Sequence, residues 1–467
     1  MSQPAGRTPD PTNGGRKCGR VTHPDLSARP GNLGQGCSRT APSPPYDQGV
    51  LTPKELLLGR AQRSDKLHST LLPKRIALPV FASDALSSVS YATQEILLVL
   101  SLGGLAFFHY APWVGLLVVA VMLVVVASYR QNVHAYPSGG GDYEVATKNL
   151  GPSAGLTVAS ALLVDYVMTV AVSMSAASAN IASAVPWFGQ HLVALTVGMI
   201  VLVTLLNLRG VRESGTLFAI PTYAFIFGIF AMIITAGVRL LMGDSLLAES
   251  ANYTIKPEAA FTGAALVFLL ARAFSSGCTA LTGVEAISNG VPAFRKPKSD
   301  NAAKTLVMLG ALSVTMFMSI TLLALVTQVK VTEFDSDLIG LPPGTDQMTV
   351  IAQIAEAVFS NFPPMFIFVS VTTALILALA ANTAFNGFPV LGSILAQDSY
   401  LPRQLHNRGD RLAFSNGILT LAALAIILVV IFKASVTALI QLYIVGVFVS
   451  FTLSQLGMIR HWTRLLA

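Results

Sequence analysis

Charge and cysteine are both scarce in this sequence of 467 residues. Only 11% of the residues are charged, whereas soluble domains contain roughly 25%. The three cysteines, Cys18, Cys37 and Cys278, lack the spacing of metal ligands, so they predict neither a disulfide framework nor a zinc site. The composition therefore argues against a water-soluble fold of this length.

The sequence also lacks a phosphate-binding loop of the form G-x-x-x-x-G-K-[ST], and its glycine run at 139–141 follows an apolar segment rather than a strand. An ATP-driven mechanism is therefore not expected. The net charge of +7 is interpreted as membrane topology rather than as nucleic-acid binding. We expect no enzymatic activity, no bound cofactor and no nucleic-acid partner.

Apolar residues, in contrast, make up 53% of the chain and come in blocks. Each block holds about 20 residues, the length that crosses a hydrocarbon core of about 30 Å. The predicted fold class is therefore all-α, a polytopic bundle in the lipid bilayer. Ten spans are predicted, at 76–100, 111–129, 156–185, 192–208, 217–242, 263–289, 303–326, 364–382, 417–432 and 436–458.

Lysine and arginine are distributed unevenly between the loops. When the spans are threaded from a cytoplasmic start, Arg239, Lys256, Lys330 and Lys433 fall outside, and the other loop positions collect inside. Cytoplasmic loops are enriched in Lys and Arg, so this asymmetry favours the chosen topology. No apolar segment precedes Ile76, so no signal peptide is expected. We predict a multi-pass protein of the cytoplasmic (inner) membrane with its amino terminus in the cytoplasm.

Small polar residues interrupt two of the predicted spans, the first at 83–88 and the sixth at 275–283. The two interruptions lie five spans apart. Interrupted helices at corresponding positions of two halves are typical of transporter binding sites built from inverted repeats. The alternative is that these residues only form kinks or close helix contacts.

The chain is accordingly divided into six regions. The leader is rich in Gly, Pro, Ser and Thr and is predicted to be disordered. The next segment is predicted to be amphipathic, cytoplasmic and in contact with anionic lipid. The predicted regions are the leader 1–50, the amphipathic segment 51–75, the first five-helix repeat 76–242, an extracellular loop 243–262, the second repeat 263–460 and a cytoplasmic tail 461–467.

Asp84 stands near the middle of the first span. A carboxylate there costs about 2.5 to 3.5 kcal/mol on insertion scales, so it requires a partner, a cavity or a function. Ser88, Tyr91 and Glu95 follow it at helical spacing and share its face. This polar stripe predicts a cavity at that face of the helix.

A second stripe lies in the third span, where Asp165 is followed on one helical face by Thr169, Ser173 and Asn180, with Tyr166 adjacent. We expect the two polar faces to meet. The alternative is that both aspartates only hydrogen-bond the neighbouring backbone and hold helices together.

The negative charge expected at this predicted site favours a cation as its ligand. Sites for free amino acids usually present glycine-rich helix amino termini to the substrate carboxylate, but the first interruption has no glycine and carries Asp84 instead. Carboxylate, hydroxyl and backbone oxygens suit an alkali ion, and a desolvated carboxylate can load a proton. Which of Asp84 and Asp165 carries the proton is left open.

Several stretches of sequence carry a family resemblance: YPSGGGDY at 136–143, FASDALSSVSYATQEIL at 81–97, LLVDYVMT at 162–169, CTALTGVEAISNGVPAF at 278–294 and NTAFNGFPVLGSILAQDSYLPRQL at 382–405. Through the first, the chain resembles the amino acid–polyamine–organocation superfamily of permeases, with its LeuT-like bundle of two inverted five-helix repeats. Through the other four, it is similar to the potassium importers of the KimA type within that superfamily.

This resemblance implies potassium–proton symport, with Asp84 and Asp165 as the carboxylates that bind potassium. The implied ion ligands are Asp84, Tyr91, Asp165, Tyr166, Thr279, Thr282 and Tyr443. The alternative for the three tyrosines is that they cap a buried polar network. Glu95 and Glu285 are candidates for coupling or gating, and Glu285 alternatively extends to the inner surface.

Importers of this type resemble a twelve-helix transporter followed by a cytoplasmic domain that binds cyclic di-AMP. This sequence stops after ten predicted helices, so we expect the regulatory domain to be absent and leave a homodimer as an open prediction. Potassium uptake is the leading functional prediction. The alternatives are an amino-acid or polyamine permease of the same fold and an inactive or sensory fragment.

Overall fold

The computed structural model describes residues 71, 73–139, 141–209, 215–259, 261–342, 345–406 and 414–466. The predicted leader at 1–50 and most of the amphipathic segment at 51–75 lie outside these described residues. The described chain is helical, apart from a short antiparallel pairing between β1 (Thr254–Ile255) and β2 (Leu338–Ile339). The fold class was therefore predicted correctly.

The described helices include segments at all ten predicted spans. The sixth span consists of α7 and α8, and two short helices, α3 and α10, follow the second and the seventh span. In chain order the helices are α1 (Lys74–Ser101), α2 (Ala111–Ala135), α3 (Gly141–Leu150), α4 (Pro152–Ala184), α5 (Leu192–Leu208), α6 (Gly215–Leu241), α7 (Ala264–Gly277), α8 (Glu285–Asn289), α9 (Lys298–Val326), α10 (Val350–Val358), α11 (Pro363–Gln397), α12 (Ser415–Ile431) and α13 (Val436–Leu466).

Eight helical stretches of the described residues are long and apolar enough to cross a membrane. Helix α12 is apolar but shorter, and α1 is not among the eight. Helix α1 can be less apolar than the other spans because it is enclosed by them. Every residue from Ala77 to Ser101 except Phe81 and Gln94 is buried inside the protein. A helix that is covered by other helices needs no apolar surface for lipid.

Four pairs of spans that are five positions apart are in contact. Helix α1 contacts α7, α2 contacts α9, α4 contacts α11, and α5 contacts α12. The short helices α3 and α10 also occupy corresponding places, one after the second span and one after the seventh. This pairing is the one expected of two five-span repeats, which have opposite orientations because each contains an odd number of spans.

The predicted interruption of the sixth span is present. Helix α7 ends at Gly277, a 3₁₀ turn covers Cys278–Leu281, Thr282 is extended, and α8 begins at Glu285. Between them Gly283 has a φ of 81°, in the left-handed region that favours glycine. Backbone groups in this segment are therefore released from helical hydrogen bonds inside the protein.

The predicted interruption of the first span is wrong, because α1 is one helix through residues 83–88. The serines that suggested a break are accommodated inside the helix. Ser87 Oγ and Ser88 Oγ donate hydrogen bonds of 2.7 Å and 3.1 Å to the Asp84 carbonyl oxygen. Serine hydroxyls satisfied by the preceding turn do not require the backbone to unwind.

The eighth span was predicted too short, since α11 continues to Gln397 rather than ending at residue 382. The predicted end coincides with three polar residues of an apolar run, Asn382, Thr383 and Asn386, none of which lies in a loop. Thr383 and Asn386 instead line an internal cavity from within the helix. Polar residues that face a cavity inside a bundle do not mark the end of a membrane helix.

We call the side of the membrane on which α1 begins the inner side and the opposite side the outer side. The sequence predicts that the inner side is cytoplasmic, and this orientation stays a prediction, as do the boundaries of the six predicted regions.

Candidate functional site

Hydroxyl groups join α1 to the interrupted sixth span. Ser88 Oγ shares a hydrogen bond of 2.6 Å with Thr282 Oγ1 and another of 3.0 Å with the Tyr91 hydroxyl. Thr282 Oγ1 also donates to the carbonyl oxygen of Thr279 at 2.9 Å. These side chains are buried, and together with Asp84 they form what we call the α1–α7 cluster.

Asp84 belongs to this cluster because the non-helical segment approaches α1 closely at that position. The Asp84 side chain is only 8% exposed, and Gly283 lies against it. No group of three or more His, Cys, Asp or Glu side chains that could hold a metal ion occurs among the described residues. The oxygens available here therefore come from one carboxylate, several hydroxyls and backbone carbonyls, a set that suits an alkali ion.

A second group of polar side chains lies between α4 and α13, and we call it the α4–α13 cluster. Thr169 Oγ1 and the Tyr443 hydroxyl are 3.1 Å apart and hydrogen-bonded. Asp165 lies one turn before Thr169 on the same face of α4. Asp165 is 3% exposed, and its Oδ1 has no hydrogen-bond partner among the described residues.

The carboxyl groups of the two clusters and Glu285 are close enough to interact. Asp84 and Glu285 line one cavity, and Asp165 directly precedes Tyr166, which lines the same cavity. Repulsion between like charges is stronger away from water. A cation or a proton held among these groups would relieve that repulsion, so the two polar faces meet as an acidic region.

A cavity of about 340 Å³ lies on the inner side of the α1–α7 cluster. Asp84, Tyr166 and Glu285 line it, and so do Asn289 and Thr383. Through this cavity, lined in part by polar side chains, an ion or a substrate could reach Asp84 from the inner side.

Tyr166 belongs to this cavity rather than to the α4–α13 cluster. Its ring lies against Gly387 of α11, where an added Cβ would come within 2.8 Å of the Tyr166 hydroxyl oxygen. Asn289, Thr383 and Asn386, which also line the cavity, were missed by the sequence analysis. Asn289 stands at the predicted end of the sixth span, and Thr383 and Asn386 stand just beyond the predicted end of the eighth.

Glu285 is the first residue of α8 and is 6% exposed. Its Oε2 has no hydrogen-bond partner among the described residues. The alternative interpretation, in which Glu285 extends to the inner surface, is therefore wrong, because the short helix α8 holds this residue at the buried cavity wall.

Glu95 lies on α1 toward the outer side and does not join the α1–α7 cluster directly. Its side chain is fully buried, and Thr437 Oγ1 of α13 donates to Glu95 Oε1 at 3.1 Å. Close by, the backbone N–H of Val350 donates to Gln94 Oε1 at 3.1 Å. These contacts join α1 to the first residues of α13 and α10.

The outer side is more tightly closed than the inner side. A cavity of about 20 Å³ lies beside Tyr91, Gln94 and Asn180. The amino terminus of α10 covers it, and the backbone N–H of Thr349 donates to Ser183 Oγ at 3.0 Å. The acidic region is therefore more accessible from the inner side in this conformation.

Asp142 is a buried carboxylate that the sequence analysis did not single out. Its Oδ2 accepts hydrogen bonds from the hydroxyls of Tyr129 (2.7 Å) and Ser450 (3.1 Å), and its Oδ1 accepts one from Ser454 (2.7 Å). Burial raises the pKa of Asp142, and the three hydroxyl donors act in the opposite direction. The carboxylate thus attaches α3 to α2 and α13.

Comparison with known proteins gives a match to the family model described as amino acid permease, over residues 77–464. The chain belongs to the amino acid permease family. The potassium transporter KimA of Bacillus subtilis (strain 168) is 42% identical to this permease family member over 413 residues, which cover 88% of this chain and 65% of KimA. The chain therefore spans less than two thirds of the length of that relative.

Family membership confirms the predicted superfamily and the multi-pass membrane class. It also confirms the assignment to a permease family rather than to an enzyme family. The roles assigned to individual site residues and the expectation of no cofactor stay predictions.

Proposed function

We propose that this chain takes up potassium across the cytoplasmic membrane in symport with protons. The observation that carries the proposal is the buried Asp84 carboxylate beside the interrupted sixth span, among the hydroxyls of Ser88, Tyr91 and Thr282. The similarity to a protein named as a potassium transporter supports the same substrate.

Potassium would exchange its hydration shell for oxygens of the α1–α7 cluster and backbone carbonyls of the 3₁₀ segment. The negative charges of Asp84 and Asp165 would favour the ion over an anionic substrate group. Inward movement of one positive charge gains about 2.3 kcal/mol per 100 mV of membrane potential, and a co-transported proton adds a similar amount.

Three buried carboxylates have an oxygen with no hydrogen-bond partner among the described residues, Glu95, Asp165 and Glu285. Of these, Asp165 and Glu285 belong to the acidic region and are the candidate proton carriers. Glu285 lines the inner cavity, so it can exchange a proton with that side without a further conformational step. We propose Glu285 as the group that releases the proton inward and Asp84 as the principal potassium ligand.

The second candidate function is amino-acid or polyamine transport. It is favoured by the description of the matched family and by an inner cavity of about 340 Å³, which is larger than a single ion requires. In that case the carboxylate of Asp84 would face the amino group of the substrate rather than its carboxylate.

Rubidium flux in proteoliposomes tests the proposal, with rubidium as the tracer for potassium. We expect uptake that increases when an inward proton gradient is imposed, together with proton entry that requires potassium or rubidium. Uptake of a labelled amino acid or polyamine, with no rubidium flux, would favour the second function. Absence of any flux from correctly inserted protein would indicate an inactive or sensory fragment.

Orientation and assembly are part of the same proposal. We propose that the amino terminus lies in the cytoplasm and that the chain resides in the inner membrane, as the Lys and Arg distribution predicts. A homodimer remains the proposed assembly. Labelling of introduced cysteines in intact cells tests the orientation, and cross-linking in native membranes tests the dimer.

A further inference from the structure

Glu95 is a buried acid that the proposed potassium site does not use. Its side chain is fully buried, and its Oε1 accepts a hydrogen bond from Thr437. Its Oε2 has no hydrogen-bond partner among the described residues. The ion pairs of the described residues do not include Glu95.

The charged and titratable neighbours of Glu95 do not compensate a negative charge on it. Glu333, in the loop after α9, acts on Glu95 electrostatically and carries the same sign of charge. Arg272 of α7 lies 3.9 Å from the Glu333 carboxylate and so is directed toward that group. Tyr91, one turn away on α1, is an uncharged phenol that adds no positive charge, and Thr437 of α13 is uncharged as well.

The charge state of Glu95 should therefore depend on the conformation of the outer side. An ionised carboxylate with an unpartnered oxygen is strongly disfavoured in a dry interior, whereas the neutral acid is tolerated. Opening the outer side would bring water to the carboxylate and restore the ionised form. A proton thus binds the closed conformation more tightly than the open one.

The position of Glu95 connects this charge change to the closing contacts. The Thr437 hydrogen bond joins α1 to α13, and the neighbouring Gln94 accepts the backbone N–H of Val350 at the start of α10. The adjacent outer cavity of about 20 Å³ has room for about one water, and Glu95 is not among its lining residues. This cavity is too small for a hydrated ion or an organic substrate, so the ligand that Glu95 can bind in the closed conformation is a proton.

We propose that Glu95 is a proton-binding site whose protonation stabilises the closed outer side. The carboxylate takes one proton from the outer solution and becomes a neutral carboxyl group as α10 and α13 pack over it. It releases that proton to water when the outer side next opens. This inference rests on the proposed symport in one respect: proton binding at Glu95 would be a proton-dependent step of that transport cycle. The step takes place on the outer side and is separate from proton release at Glu285 on the inner side.

The test measures closure directly, by labelling a cysteine at Ala179, which lines the outer cavity. Cys18, Cys37 and Cys278 are first replaced by alanine in the full chain. A membrane-impermeant maleimide is applied from the outer side at pH values from about 5 to about 9, which bracket the range in which buried carboxyl groups lose their proton. Because the thiolate is the form that reacts, any cysteine labels faster as the pH rises, so the rate at Ala179 is divided by that of a cysteine at the exposed Leu247. We expect this ratio to rise at least about threefold across the range.

Variants of Glu95 decide the assignment. Glu95→Gln, which imitates the neutral acid, should keep the labelling ratio low at every pH, whereas Glu333→Gln, the matched change at the neighbouring acid, should keep the rise of the ratio with pH. Thr437→Val removes the hydrogen bond that favours the ionised form, so it should move the midpoint of the response upward by about one pH unit. Glu95→Asp keeps a carboxyl group, so its labelling should still depend on pH. This variant is the control for the effect of substitution itself at position 95.

The proposal is overturned if the labelling ratio has the same pH dependence in Glu95→Gln as in the parent, or if the ratio does not change with pH in the parent protein. Neither result depends on potassium. Failure of rubidium uptake in proteoliposomes contradicts the proposed function and leaves the labelling result standing, so the two failures are distinguishable.

Discussion

Gly283 and Asp84 are in direct contact, with no room between them for a side chain. A Cβ at Gly283 would lie 2.9 Å from both Cβ and Cγ of Asp84 and 2.6 Å from the backbone nitrogen of Ala85. The interrupted sixth span can approach the Asp84 carboxylate this closely because its residue at the turn is glycine.

Replacing Gly283 by alanine should abolish rubidium uptake. The added methyl group must displace Asp84 or the backbone of α1, and its φ of 81° adds strain of about 1 to 2 kcal/mol for a non-glycine residue. Uptake in proteoliposomes, normalised to inserted protein, measures the effect.

Gly243→Ala is the matched control, since Gly243 has a φ of 88° and nothing within 4 Å of its added Cβ. It imposes similar backbone strain without the collision. Equal loss of uptake in both variants would show that strain, rather than the Asp84 contact, is responsible.

Asp84→Asn should reduce rubidium uptake at least tenfold while leaving the amount of protein in the membrane unchanged. A neutral side chain removes the proposed ion ligand but is easier to place in the bilayer, where a carboxylate costs about 2.5 to 3.5 kcal/mol. Asp300→Asn, at an exposed acid, is the control. Wild-type uptake by Asp84→Asn would reject the proposed ion site.

The two hydroxyl pairs that join α1 to neighbouring spans allow a matched comparison. Ser88 pairs with Thr282 at 2.6 Å in the α1–α7 cluster, whereas Thr93 pairs with Thr321 at 2.9 Å elsewhere on α1. Thr282→Val should raise the KM for rubidium about tenfold, corresponding to the loss of about 1.4 kcal/mol of binding.

Thr321→Val breaks an equivalent hydrogen bond and should change KM by less than about threefold. Saturation curves for both variants are the measurement. If the two variants change KM equally, the Ser88–Thr282 pair serves packing rather than ion binding.

The extent to which the sequence predicted this site can be seen at three positions. The carboxylates of Asp84 and Asp165 were expected inside the bundle because ionisable residues in spans avoid lipid, and both are buried. The break near Thr282 was also predicted, since Gly277 and Gly283 bracket small polar residues. The fit of Gly283 against Asp84 could not be predicted, because it depends on how two distant segments dock.

Asp142 should contribute to stability through its three hydroxyl donors. Asp142→Ala leaves the hydroxyls of Tyr129, Ser450 and Ser454 without their buried acceptor, at about 1 to 3 kcal/mol for each unsatisfied group. The melting temperature in detergent should fall markedly for Asp142→Ala and less for Asp142→Asn, which keeps an acceptor. Similar melting temperatures for both would contradict this anchoring role.

The same residue predicts a pH dependence. Burial raises the pKa of Asp142, so its carboxyl group binds a proton more tightly in the folded state than in the unfolded state. Its contribution to stability is fully present below the ordinary pKa of an aspartate and is lost as the pH rises through the raised pKa. The stability of Asp142→Asn relative to wild type should therefore increase with pH, and a relative stability that does not change with pH would argue against the shift.

Arg239 should stabilise the outer closure by holding the carboxyl end of α10. Its Nη1 donates to the carbonyl oxygens of Ala357 (3.1 Å) and Val358 (2.8 Å), while its Nε donates to Asp244 (2.9 Å). Arg239→Ala should lower the melting temperature and accelerate outer labelling of a cysteine at Ala179.

Asp244→Asn removes only the partly exposed ion pair with Arg239, which is worth less than about 1 kcal/mol, so it should have little effect. If Asp244→Asn matches Arg239→Ala in both assays, the contacts with α10 are not the source of the stabilisation.

The errors of the sequence analysis share one physical cause. Polar residues inside apolar runs were interpreted as helix ends or breaks at Ser87 and Asn382, but both lie within continuous helices. Asp142 was missed because it lies in a short segment between spans, where a carboxylate normally meets water. In each case the decisive factor was a neighbouring helix that one-dimensional patterns do not identify.

The almost complete enclosure of α1 has a consequence for biosynthesis. As a nascent segment it carries Asp84, Glu95 and several serines, and it is not among the stretches apolar enough to enter lipid unaided. Its stable integration by the insertion machinery must therefore await later helices such as α7 and α9, which cover it. We therefore expect α1 to settle in the bilayer only after the spans that follow it and enclose it.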